Sequence, residues 1–159
     1  MKTINQSKPI NDSIISEFER IFHIQLPQDY KEFILKNNGG RPEDDWGFDF
    51  AEVGGTASTS SVICDFLAIN SDSGKTFDDL GKTYRMLVEE KQIPPRLLPF
   101  ASDPGGNYIC ISVVAGEDYS KVYFCNHEWE DPKTGFMILS PIADSFTEFI
   151  EKCYICEDE

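Results

Sequence analysis

Apolar residues recur at helical spacing near the start of the chain. Ile14, Ile15, Phe18, Ile21 and Phe22 fall at i, i+1, i+4, i+7 and i+8, a single stripe behind Asn11 or Asp12 as capping residue. The spacing predicts a first helix, with His23 as an ordinary helix-end residue near its last carbonyls. Leu26-Pro27 then interrupts and restarts the pattern. Pro27 suits a first helical turn, Tyr30, Phe33 and Ile34 form the next apolar face, and Glu32 and Lys36 make a favourable i, i+4 surface pair. Asn38-Gly39-Gly40 ends this second helix, because glycine accepts the left-handed backbone of a C-cap.

The period then changes. Trp46-Gly47-Phe48-Asp49-Phe50 alternates and Ser61 to Leu67 is a compact apolar run, so both are predicted strands, joined by a small-residue loop over Gly54 to Ser61. Thr76 and Asp79 fit a capping box, and Phe77, Leu80, Tyr84, Leu87 and Val88 continue at helical spacing until Pro94-Pro95. Leu97 to Ala101, Tyr108 to Val113 and Lys121 to His127 are β-branched or aromatic, with a Ser102-Asp103-Pro104-Gly105-Gly106-Asn107 turn after the first of them. They predict consecutive antiparallel strands. Phe136 to Leu139 adds another strand. Ser145 opens a final helix with Phe146, Phe149, Ile150, Cys153 and Tyr154 inward. The order predicts an α+β fold, helices packed against a largely antiparallel sheet.

With 159 residues, 40% of them hydrophobic, the chain is long enough for one core and too short to favour two. A single domain over residues 1–159 is expected, with 1–10 as an extended lead-in. No apolar run approaches the ~20 residues of a membrane span, and the N-terminus lacks the apolar stretch of a secretory signal. The five cysteines are odd in number and sit among apolar neighbours, which suits reduced, packed thiols and a cytoplasmic location. Charge is the loudest compositional signal: 28 acidic against 14 basic residues, a net charge of −14. Such a chain repels phosphate backbones, which disfavours direct nucleic-acid binding. The acidity has two readings, a solubilising surface or a face held ready for a basic partner.

The chemistry on offer is thin. His23 and His127 are the two histidines, and neither stands in a recognisable nucleophile–base pattern. Cys153 and Cys156 have C-x-x-C spacing, and Cys125 with His127 would complete four zinc ligands, but packed thiols are the simpler reading and no metal is expected. The motif closes the chain instead of opening a helix after a strand, so a thioredoxin-like role fails on position. Gly105-Gly106 lies outside any phosphate-binding pattern. No cofactor and no catalytic residues are implied.

Three segments together carry a resemblance. The first runs from Phe18-Glu19 through Leu26-Pro27-Gln28-Asp29-Tyr30-Lys31-Glu32-Phe33-Ile34 to Asn37-Asn38-Gly39-Gly40. The second is Leu98-Pro99-Phe100-Ala101-Ser102-Asp103-Pro104-Gly105-Gly106-Asn107-Tyr108-Ile109-Cys110. The third joins Val122-Tyr123-Phe124-Cys125-Asn126-His127-Glu128 to Ile142-Ala143-Asp144-Ser145-Phe146-Thr147-Glu148-Phe149-Ile150. In this order they resemble the SUKH superfamily, the family of the fungal Smi/Knr cell-wall-assembly regulator and of many bacterial immunity proteins.

The resemblance implies an α+β domain that binds another protein, in bacteria commonly a toxin, often a nuclease, which it neutralises. Acidity then acquires a mechanism, since carboxylates imitate the phosphates that a nuclease grips. The candidate partner-binding residues are Asp44, Asp45, Trp46, Asp49, Asp103, His127, Glu128, Trp129, Glu130 and Asp131; Trp129 among acids is the most interface-like, with the cover of a sheet edge as its other reading. Two rivals stay open: a regulatory or scaffold domain unrelated to toxins, and a zinc-dependent hydrolase.

Overall fold

The computed structural model describes residues 1–52 and 57–157. The first helix, α1 (Asp12–Phe22), starts at Asn11, whose side chain accepts from the Ile14 N–H at 2.9 Å. It ends where His23 turns left-handed, at φ 55°. In α2 (Gln28–Lys36), Pro27 sits at the N-cap, one step ahead of the first turn. The expected Glu32–Lys36 pair is replaced by a long hydrogen bond from Gln28 Nε2 to Glu32, 3.5 Å. Ahead of α1, β1 (Thr3–Ile4) pairs antiparallel with β2 (Arg41–Pro42), so the lead-in is strapped to the segment that leaves α2.

Beyond β2, the strands form two further antiparallel sheets. In one, β3 (Trp46–Ala51) lies between β4 (Ser58–Val62) and the short β10 (Tyr154–Ile155). In the other the order follows the chain: β5 (Asp65–Phe66), β6 (Leu97–Ser102), β7 (Tyr108–Ser112), β8 (Val122–Glu130) and β9 (Met137–Ala143). The run Ser61 to Leu67 is thus two strands, not one. The chain crosses from one sheet to the other at Ile63-Cys64, where Ile63 N–H donates to Trp46 and Cys64 N–H to Ser102. Of the loop expected over 54–61, residues 54–56 lie outside the described residues and Ser58 to Ser61 belong to β4.

Between β5 and β6, a 3-10 turn (Thr76–Asp78) precedes α3 (Leu80–Glu89). Asp79, not Thr76, is the N-cap: its carboxylate accepts from Lys82 N–H at 2.8 Å and from Ser71 N–H at 3.0 Å. Phe77 consequently lies outside the helix and is exposed. The last helix, α4 (Phe146–Lys152), is capped by Ser145 as expected but stops before Tyr154, which is exposed on β10.

An aromatic spine joins these layers. Phe50 stacks on Phe124 at 4.0 Å, Phe48 meets Phe124 and Phe149, and Phe100 links Phe149 to Tyr30, Phe66 and Phe146. Burying each such ring is worth about 1.5–3 kcal/mol, so β3 is held across β8 by its inward faces. No helix among the described residues is long and apolar enough to cross a membrane.

Candidate protein-binding surface

Strand β8 outruns its neighbour. The β7–β8 ladder closes where Tyr108 faces Cys125, and from Asn126 onward β8 is paired with β9 alone. There the register breaks: Asn126 faces Ile138 and Glu130 faces Met137, leaving His127, Glu128 and Trp129 without partners on β9. Such a bulge turns side chains away from the sheet. Burial changes at the same point, from buried Phe124 and Cys125 to exposed His127, Glu128, Trp129 and Glu130. Trp129 is 63% exposed, uncommon for a residue whose burial is so favourable.

The bulge is held in place. Glu128 N–H donates to Asn126 Oδ1 at 3.0 Å, and His127 N–H to Asn107 Oδ1 at 3.0 Å. The turn into β9 is closed by Asp131 N–H to Phe136 O at 2.8 Å and Gly135 N–H to Asp131 O at 2.7 Å, with Gly135 at φ 78°. Two grooves flank Trp129. One, of about 470 Å³, is lined by Phe50, Glu52, Thr59, Asn126, Glu128 and Ile138. The other, of about 360 Å³, is lined by Glu90, Lys91, Gln92, His127, Glu130 and Met137.

The structure therefore gathers His127, Glu128, Trp129 and Glu130, and places Asp131 half-buried at the base of the turn, where its carboxylate accepts from Lys133 N–H at 2.8 Å. Asp103 is a correction. It is 7% exposed, and both oxygens are spent inside the turn: Oδ1 accepts from the N–H groups of Gly105 (3.0 Å) and Asn107 (2.8 Å), Oδ2 from Ser61 Oγ (2.8 Å) and Asn107 Nδ2 (3.1 Å). A carboxylate so enclosed cannot pair directly with a partner's cation.

Asp44, Asp45, Trp46 and Asp49 belong elsewhere. Trp46 opens β3 and Phe50 lies near its end, roughly 14 Å away at the rise of an antiparallel strand, and of the β3 residues Phe50 alone lines the groove beside Trp129. Asp49 points to the other face from Phe48 and Phe50, and accepts from Tyr154 OH at 2.8 Å. Trp46 is half-buried against the core, and Asp45 makes an exposed contact with Arg41 at 3.9 Å. The two acidic groups do not form one site. Glu52, Phe50 and Glu90 line the grooves yet lack any signal in the sequence, since only the packing of β3 and the end of α3 beside β8 brings them there.

The cysteines are dispersed. Cys110 and Cys125 are buried with sulfurs 3.0 Å apart, Cys156 is half-buried, and burial pushes the Cys153 thiol up to about 12. Among the described residues, no group of three or more His, Cys, Asp or Glu side chains is placed to hold a metal ion.

A model described as the SMI1 / KNR4 family (SUKH-1) matches residues 9–152. The SPbeta prophage-derived uncharacterized protein YokK of Bacillus subtilis (strain 168) is similar at 28% identity, covering 86% of this chain and 70% of its own.

Proposed function

The chain belongs to the SMI1 / KNR4 family (SUKH-1), and from that premise we propose that it is a cytoplasmic immunity protein. It binds a cognate basic toxin, of the nuclease type, and occludes its functional surface through the β8–β9 bulge. The observation that carries this reading is Trp129, 63% exposed on a bulge between Glu128 and Glu130. An exposed indole ringed by carboxylates supplies an anchor that gains by burial and charges that steer a cationic surface toward it. Neutralisation is stoichiometric and involves no reaction step.

The test is co-expression with candidate basic toxins, beginning with any encoded beside the gene. The wild-type chain protects the cell, whereas Trp129→Ala together with Glu128→Lys and Glu130→Lys abolishes protection while the folded chain accumulates normally. A chain that neither binds nor protects against any of these toxins belongs with the regulatory members of the family instead.

A further inference from the structure

His127 is exposed, and its ring lies beside Gly106, with room for a Cβ there at 3.4 Å from Cε1 and 3.7 Å from Nε2. The ring is held at one edge: Nδ1 is 2.6 Å from Asn107 Oδ1. The orientation of that amide is set by its other partners. His127 N–H, which can only donate, also points at Oδ1, at 3.0 Å, and Asn107 Nδ2 donates to the Asp103 carboxylate at 3.1 Å. The atom facing Nδ1 is therefore an acceptor, so Nδ1 carries the proton and Nε2 of the neutral ring keeps its lone pair. Nε2 has no partner among the described residues, and the ring lines the groove beside Trp129.

Resting on the partner-binding reading above, we infer that His127 is a specificity-determining acceptor of that surface, receiving through Nε2 a hydrogen bond from an arginine of the partner protein. Charge and shape select the guanidinium. Glu90 and Glu130 bring two carboxylates to the groove against the one ammonium of Lys91, and Trp129 supplies a flat wall on which a planar cation stacks. Asp103 and Asn107 act as positioning residues. The buried turn carboxylate orients the amide, and the amide orients the imidazole, in the way that outer partners fix the tautomer of a ligating histidine.

Two measurements on the full chain test this. Side-chain nitrogen NMR at neutral pH is expected to show His127 protonated on Nδ1, and Asn107→Ala to lose that preference; a wild-type ring protonated on Nε2 overturns the inference without any partner. Titration with N-acetyl-arginine amide is expected to perturb His127, Trp129 and Gln92. His127→Phe should weaken it by about tenfold or more, the scale of a hydrogen bond to a charged group, and His127→Gln, which retains an acceptor, should lose less. Perturbation confined to the Glu52 and Glu128 side of Trp129, or none at all, overturns it. So does a toxin neutralised equally by wild-type and His127→Phe chains, a result that leaves the protective function itself standing.

Discussion

Tyr30 holds its ring between Phe100 and Phe146, at 5.6 and 5.4 Å, and buries a hydroxyl that has no hydrogen-bond partner among the described residues. Burial alone pushes the phenol far above its usual range. Removing only that oxygen, by Tyr30→Phe, is expected to leave stability unchanged or raise it by up to about 1–3 kcal/mol, the cost of an unsatisfied buried group. Urea unfolding reads the difference, and a clear loss would show the hydroxyl to be bonded. Asn38 is the opposite case. It is buried, donates to the carbonyls of Lys8 (2.8 Å) and Ile69 (3.0 Å), and accepts from Ile69 N–H at 2.9 Å. Asn38→Ala strands those backbone groups and should cost about 1–3 kcal/mol in the same assay. The sequence shows Tyr30 as an inward aromatic and Asn38-Gly39-Gly40 as a helix stop, because both follow from local period and backbone preference. It cannot show that Asn38 clasps Lys8 and Ile69, which approach it only when the chain folds.

At the scale of elements, the segment from Val113 to Lys121 between β7 and β8 is tied down by Asp118. Burial opposes its charge, but hydrogen bonds from Arg96 Nε (2.8 Å) and Ser112 Oγ (3.0 Å), with the attraction of Arg96, prevail and hold the carboxyl below its ordinary value. The folded chain therefore binds this proton less readily than the unfolded one. Its stabilisation is complete above the ordinary carboxyl pKa and is lost as pH falls through the lowered folded value. Asp118→Asn should accordingly lower stability at neutral pH and shrink the difference from wild type at strongly acid pH, followed by denaturant midpoints across that range. Helix identity was largely legible at this scale, since α1 and α4 begin where their caps and apolar stripes place them, and α2, which has no side-chain cap, begins one residue later than Pro27 suggested. The beginning of α3 was not. Thr76 and Asp79 are both plausible caps, and Asp79 prevails because it also binds Ser71 N–H across the preceding loop. The division of Ser61 to Leu67 and the bulge at His127 were equally hidden, because each depends on which strand lies alongside.

Over the whole molecule, acidic residues outnumber basic ones two to one, 28 against 14, for a net charge of −14. Arg20–Glu17, Arg41–Asp45 and Lys152–Glu148 are exposed pairs, each worth ~0–1 kcal/mol, so salt has little attraction to screen and much self-repulsion to relieve. The thermal midpoint is expected to rise from low to physiological ionic strength; a fall would mean that attractive pairs dominate. The separation of the two acidic groups along β3 predicts a further asymmetry. Reversing Glu128 and Glu130 to lysine should slow association with the partner by about tenfold or more at low salt. Reversing Asp44 and Asp45, beyond a Debye length of about 10 Å, should change it much less, as stopped-flow mixing would report. The α+β order and the family were readable from short segments, whereas the site needed β3, α3 and β8 to meet.

The bulge itself has a consequence for how such a surface changes over generations. Glu128 and Trp129 stand outside the β8–β9 register, so replacing, adding or removing a residue there leaves every inward-facing position of both strands on its own side of the sheet. Recognition can drift at this point while the fold is inherited intact, as the proposed role against a changing toxin would require.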